Sequence, residues 1–418
     1  MYKRIYLSFL GFSLSKFCVF FSPLALALLI PISEYGQLEA SLAMGSLIYP
    51  IFGFGLATSV PYFLLKAKKN EIIPLILFCS SIFGLISLLT YISLNYFQTA
   101  SANYQFLIFA GIFAVQFTLS AYLKSTNLTA LATVLDGGFY IILMFLCVTF
   151  WVSSTTNSLK IIEFFSLLYL TTLIVFCFIF FFLRNNLSLI EIKTSLYHIF
   201  NYSLPFILPA LGMLAIVNGG RVLASSFLSI ESVAAYGLLF RLTAISIVFH
   251  QLISTIFFRK IYLSPPGTLD VYFSCIFITS LLIGFFSYFL LMLDHLSPLT
   301  FMGLLKPIHS AHYPPMVFLT SFWISLALFE PIIAREKLAP QQTAILLITS
   351  LIGFFVCFIF QQQGILNLYN LIYIQLFVFF SAYASIYAVF FHYRINLPIF
   401  GFFTFSSFFV FITFRIII

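Results

Sequence analysis

Twelve apolar runs, each close to the length a helix needs to cross a bilayer, and a thirteenth at the end constrain this chain more than any other feature. A transmembrane helix takes about 20 mainly apolar residues. The pattern predicts such helices over 8–32, 38–65, 74–94, 105–123, 128–152, 161–183, 203–228, 233–258, 271–293, 314–334, 340–360 and 367–391. A last apolar run, 396–414, follows Tyr393-Arg394-Ile395 and is read as an additional segment. In hydrocarbon each backbone N–H and C=O must find its partner within the protein, so runs of this kind read as helices. Only 7% of the 418 residues are charged and 62% are hydrophobic, which excludes a water-soluble enzyme and a nucleic-acid-binding domain.

The formal net charge of +8 is largely a matter of topology. With the N-terminus placed in the cytoplasm, Lys3, Arg4, Lys66, Lys68, Lys69, Lys124, Arg184, Lys193, Arg259, Lys260, Arg335, Lys337 and Arg394 fall on the inner side. Only Lys160 and Lys306 fall in outer loops. Cationic loops resist translocation, so this bias supports twelve spans in that orientation. The 58 phenylalanines read as lipid-facing side chains. Cys18, Cys79, Cys147, Cys177, Cys275 and Cys357 are scattered through apolar runs without a Cys/His cluster, so the expectation is no metal, no redox motif and no cofactor.

The chain reads as two halves. Residues 1–183 form an N-terminal six-helix bundle, 184–202 a cytoplasmic amphipathic linker, 203–392 a C-terminal six-helix bundle, and 393–418 the extra hydrophobic segment. Tyr35-Gly36 at the start of span two is echoed by Tyr236-Gly237 at the start of span eight. An even number of spans per half leaves both halves in the same orientation, the arrangement of parallel-repeat transporters. The expected fold is therefore all-α and polytopic, with two six-helix bundles. Pro50, Gly53, Gly55 and Pro61 are expected to interrupt span two, and Pro205 and Pro209 the start of span seven.

Glu34-Tyr35-Gly36, followed by Gly53-Phe54-Gly55-Leu56-Ala57-Thr58, resembles the first-hairpin pattern of the O-antigen flippases. These are Wzx-type polysaccharide biosynthesis proteins of the multidrug/oligosaccharidyl-lipid/polysaccharide exporter superfamily. The second half is similar through Leu204-Pro205-Phe206-Ile207-Leu208-Pro209, Asn218-Gly219-Gly220-Arg221, Ala235-Tyr236-Gly237, Phe240-Arg241-Leu242 and Phe301-Met302-Gly303. The chain departs from the family at Gly220, where members often carry an Asp before the arginine, and in its thirteenth apolar run.

Ionisable residues within a bilayer need a partner or water, so each is a functional candidate. Arg221 shares a helical face with Asn218 and Ser225. Lys16 and Asp136 stand at equal depth on spans one and five, so a Lys16–Asp136 pair is geometrically open. Thr129, Thr133, Asp136 and Tyr140 form a polar stripe. Gln116, Ser120 and Lys124 share a face of span four, while Thr243, Ser246, His250 and Ser254 share one on span eight. For each of these, and for Arg241 and Glu330, the competing reading is a structural ion pair, a hydrogen bond or snorkelling.

The resemblance implies a flippase that carries a polyprenyl-pyrophosphate-linked O-antigen repeat unit across the bacterial cytoplasmic membrane by alternating access. Undecaprenyl-pyrophosphate-linked oligosaccharide and membrane lipid are then the partners, with an O-antigen polymerase and a chain-length regulator as protein partners. Lys16, Lys124, Arg221 and Asn218 would form the cationic substrate site; Asp136 or Glu330 would couple transport to a proton or sodium gradient. No catalytic residue is expected. The alternatives are an O-antigen polymerase, whose outer loop would hold His295, Lys306, His309 and His312, and a small-molecule efflux pump of the same superfamily. A more cationic than anionic interior disfavours export of organic cations.

Overall fold

Apolar runs that must satisfy their own backbone form helices, and helices are the only regular elements among the described residues. The computed structural model describes residues 2–97, 104–126, 128–152, 158–185, 187–251, 253, 261, 264–293, 310–336 and 338–417. Ser254, Arg259, Lys260, His295, Lys306, His309 and Lys337 lie outside the described residues. Among those described, nine helices are long and apolar enough to cross a membrane, and three bent pairs bring the number to twelve. This is the polytopic all-helical architecture that the run lengths predict.

The chain divides into two compact units, Met1–Leu214 and Ala215–Ile418. The first holds α1 (Tyr2–Leu29), α2 (Ile32–Phe52), α3 (Leu56–Pro61), α4 (Ile73–Phe97), α5 (Gln105–Ser125), α6 (Thr129–Asp136), α7 (Gly138–Val152), α8 (Ser158–Arg184) and α9 (Leu189–Ser203). At its centre α5 packs against α2, α3, α4, α6 and α8. Small residues permit this: a Cβ on Gly45 of α2 would stand 2.8 Å from the Phe106 carbonyl oxygen of α5.

Span two breaks where its glycines predict. α2 and α3 meet at 52° across Gly53-Phe54-Gly55. Gly55 has φ +66°, and a Cβ there would lie 2.4 Å from the Ser203 carbonyl oxygen, so conformation and proximity both demand glycine. The segment expected to be a surface linker is α9, and it docks on this break. Phe200 packs edge-on to Phe54 and Phe83, and Tyr202 stacks on Tyr62 at 4.0 Å. Its N-terminus carries a capping box between Ser188 and Glu191, and Leu189, Ile190 and Tyr197 stay exposed. Pro205 produces a single 3₁₀ turn, Leu204–Phe206, before α10 (Ile207–Phe227). Together they make one helical stretch of 39 residues, longer than a bilayer requires.

The second unit continues with α11 (Ile230–Thr243), α12 (Ile245–Gln251), α13 (Pro266–Leu293), α14 (Tyr313–Arg335), α15 (Ala339–Gln362), α16 (Leu368–His392) and α17 (Pro398–Ile417). Here α14 is central, packing on α11, α13, α15 and α16. Phenylalanine does more than face lipid. Phe322, Phe329, Phe379, Phe390 and Phe400 are fully buried, and Phe380 stacks on Phe408 at 3.8 Å. Such ring pairs add about 0.5–1.5 kcal/mol each beyond their burial. Phe182, Phe391 and Phe402 keep the outward role that composition predicts.

The thirteenth apolar run is a packed helix. The buried carboxylate of Asp270, near the start of α13, accepts hydrogen bonds from the backbone N–H groups of Ile399 (3.0 Å) and Phe400 (2.7 Å). One side chain thus caps the N-terminus of α17, and both helices start at the same level. The Tyr387 hydroxyl donates to the Leu397 carbonyl at 3.0 Å and adds a second fastening. At 20 residues α17 is about 30 Å long. Asp270→Ala strips two buried N–H groups of a charged acceptor and is expected to destabilise the α17 attachment by about 1.5–3 kcal/mol. Limited proteolysis should then cleave ahead of Pro398 sooner than in wild type; equal protection would show that Asp270 does not hold the helix.

Candidate functional site

Polar groups gather at two places, one in each unit. In the first, the fifth span breaks at Gly137, so α6 and α7 meet at 56°. A Cβ on Gly137 would lie 3.0 Å from the Ser15 Cα, and one on Gly11 2.8 Å from the Ala130 carbonyl oxygen, so α1 packs directly on the broken helix. A break inside a membrane leaves carbonyls that neighbours must satisfy. Gln116 Nε2 donates to the Asp136 carbonyl at 3.0 Å, and the Ser120 hydroxyl donates to that of Ala132 at 3.3 Å. Tyr169 in turn donates its hydroxyl to Gln116 Oε1 at 3.1 Å.

The break also decides the ion pairing. Asp136 pairs with Lys124 at 2.7 Å, not with Lys16 as equal depth suggested. The α6 end is tied to α5 through Gln116, which brings the carboxylate to the α5 lysine. Lys16 remains within Coulombic range of both Asp136 and Lys124, with its ammonium 5.5 Å from the Phe12 ring centroid. Two cations therefore share one anion. The stripe through Thr129, Thr133, Asp136 and Tyr140 is not continuous, because Tyr140 stands on α7 beyond the bend.

The Lys124 side chain is 51% exposed and that of Asp136 25%, so the pair is expected to contribute only about 0.2–1 kcal/mol. A double-mutant cycle of Lys124→Gln and Asp136→Asn, read by thermal unfolding, should return a coupling in that range. The cycle of Lys16→Gln with Asp136→Asn should return less. A larger coupling to Lys16 would contradict the pairing.

In the second unit the site is one turn of α10. Arg221 and Asn218 are both buried, and Arg221 Nη2 donates to Asn218 Oδ1 at 2.5 Å. The guanidinium carbon lies 5.2 Å from the centre of the Phe240 ring, a cation–π geometry. Ser225 follows one turn on along the same helix, and its hydroxyl donates to the Val222 carbonyl. Between Asn218 and Arg221, Gly220 lets the Tyr236 hydroxyl touch the helix backbone, while Gly219 faces Gln375 at ordinary distance. A Cβ on Gly220 would stand 1.9 Å from the Tyr236 hydroxyl oxygen, and one on Gly219 3.7 Å from the Gln375 amide. Tyr236 feels the charge of Arg221. Asn218, Arg221, Tyr236 and Gln375 thus form a polar collar around one turn, each less than a tenth exposed.

The remaining candidates stand apart. Arg241 is buried on α11. His250 is buried on α12, beyond a 46° bend from α11, so it does not continue the Thr243 stripe as a straight helix would. Glu330 is exposed on α14 and forms no ion pair among the described residues. His312 packs its ring edge-on to Tyr369 at 5.7 Å.

Four polar residues were not singled out from sequence. Glu39 is fully buried on α2 and accepts a hydrogen bond from the Tyr35 hydroxyl at 3.0 Å. Glu163 accepts from the Tyr91 hydroxyl, and from Gln105 Nε2 at 3.0 Å. Asp270 caps α17, and Gln375 belongs to the collar. Each was visible as a lone polar residue within or at the edge of an apolar run.

No protein-family model, no curated protein and no solved structure matches this chain. The fold itself defines a class: an all-helical, multi-pass membrane protein whose chain forms two compact units.

Proposed function

We propose that the chain is a flippase of the Wzx type, turning a polyprenyl-pyrophosphate-linked oligosaccharide unit from the inner to the outer leaflet of a bacterial cytoplasmic membrane. The observation that carries this reading is that cationic side chains gather at two places among the apolar helices. Lys16 and Lys124 share the single carboxylate of Asp136, and Arg221 is held in place by a neutral amide, that of Asn218. Arginine on a fixed amide offers a fork of donors that suits phosphate oxygens. A charge kept within a bilayer is costly, which favours a use for it beyond stability.

The N-terminus lies in the cytoplasm, and the units work by alternating access. Broken spans support such motion, and spans two and eight, which share the Tyr-Gly echo, are both broken. A proton or sodium gradient drives the cycle. Of the two coupling candidates Glu330 fits better, because Asp136 is committed to Lys124. An O-antigen polymerase and a chain-length regulator are the protein partners in this reading, and the chain itself performs no catalysis.

Deleting the gene should trap the lipid-linked unit on the inner leaflet of spheroplasts, scored by its accessibility to an impermeant sugar-modifying reagent. A unit that still reaches the outer leaflet but stays unpolymerised would replace the flippase by the polymerase. Normal polysaccharide with lost resistance to an organic cation would replace it by the efflux pump.

A further inference from the structure

Gln375 is 3% exposed, and its Oε1 has no hydrogen-bond partner among the described residues. It stands on α16 in an otherwise apolar stretch, Leu371-Ile372-Tyr373-Ile374-Gln375-Leu376-Phe377. Its amide faces the turn of α10 that carries Asn218 and Arg221, 3.7 Å from where a Cβ on Gly219 would stand. A buried amide oxygen without a donor bears its whole desolvation penalty, and such groups are exceptions that call for a cause. Packing alone would be served better by leucine or methionine.

The chemistry of the amide limits what satisfies it. As placed, Gln375 presents an acceptor; with the amide turned over it would present an N–H donor. A phosphate oxygen answers only the second case, whereas a hydroxyl both donates and accepts and answers either. Anion recognition already has a group on the same turn, the Arg221 guanidinium.

We propose that Gln375 is a binding residue for a carbohydrate hydroxyl, and that the collar divides its labour. Arg221 takes the charged linkage of the substrate and Gln375 takes the sugar next to it. This rests on the flippase reading and adds to it a residue and the group that the residue recognises.

The test uses the purified full-length protein and two probes: polyprenyl diphosphate bearing one N-acetylhexosamine, and the same lipid without sugar. In Gln375→Met, affinity for the sugar-bearing lipid should fall about tenfold, as expected for one lost hydrogen bond. Affinity for the sugar-free lipid should change less than about twofold, and the melting temperature should equal or exceed that of wild type, because an unpaired amide has gone. Arg221→Gln should weaken both lipids. Equal weakening of both lipids by Gln375→Met, or of neither, would overturn the assignment, as would a fall in melting temperature without loss of discrimination. A measurement on the unaltered protein stands beside it: the sugar-bearing lipid should raise the wild-type melting temperature more than the sugar-free one, and equal shifts would also overturn it. A wild-type protein that binds neither lipid would instead remove the flippase reading itself.

Discussion

Arg221→Ala is expected to lower translocation of the lipid-linked unit by about ten- to a hundredfold, the loss of one charge-assisted hydrogen bond to an anion of about 1.5–3 kcal/mol. The guanidinium is buried, held by Asn218 Oδ1 at 2.5 Å and covered by the Phe240 ring. Its orientation is therefore set before any substrate arrives, which limits the entropy lost on binding. Arg221→Lys keeps the charge but not the planar fork, so it should recover part of the activity and not all of it. Arg221→Gln preserves a donor toward Asn218, and its melting temperature separates lost transport from lost folding. Full translocation by Arg221→Gln at wild-type expression would show that the arginine is structural.

Gly220→Ala should be the most damaging small substitution in the second unit. The new methyl would lie 1.9 Å from the Tyr236 hydroxyl oxygen and 2.2 Å from the ring carbon that bears it. The ring is stiff and buried, so α10 and α11 must separate, an overpacking penalty of about 1–3 kcal/mol. Gly219→Ala makes the contrast. Its methyl meets the Gln375 amide at an ordinary 3.7 Å, and a helical Gly→Ala change gains up to about 1 kcal/mol of propensity. Thermal unfolding should therefore show Gly220→Ala well below wild type and Gly219→Ala at or above it. Tyr236→Leu should relieve part of the Gly220→Ala defect. Two glycine variants of equal stability would contradict the packing around this turn.

The spans and their number could be read directly because run length and backbone satisfaction are local properties. The break at Gly53-Phe54-Gly55 was legible for the same reason, since a positive φ at Gly55 follows from its own chemistry. The partner of Asp136 was not legible. Depth along a helix can be counted from sequence, but which lysine lies beside it depends on how α5 and α1 pack around α6. The bend at Gly137 was not foreseen, because 128–152 reads as one unbroken span, and neither was the Gln116 amide that donates to the carbonyl it frees. Asp270 was hidden because the N–H group of Phe400 that it caps lies 130 residues later in the chain. Phenylalanine composition could not separate a ring such as Phe400, packed in the core, from one such as Phe402, turned outward two residues on. Gln375 stood in plain view as a lone amide. Its interest came only from the glycine turn opposite.

Reconstitution tests the central claim most directly. Purified protein in vesicles, with a polyprenyl-diphosphate-linked sugar in one leaflet, should move that lipid until an impermeant reagent on the opposite side can modify it. Arg221→Ala vesicles should move it about ten- to a hundredfold more slowly than wild type, and imposing an ion gradient should accelerate the wild type. Vesicles in which wild-type protein leaves the lipid in its original leaflet under every gradient, while the same preparation stays folded, would contradict the flippase account.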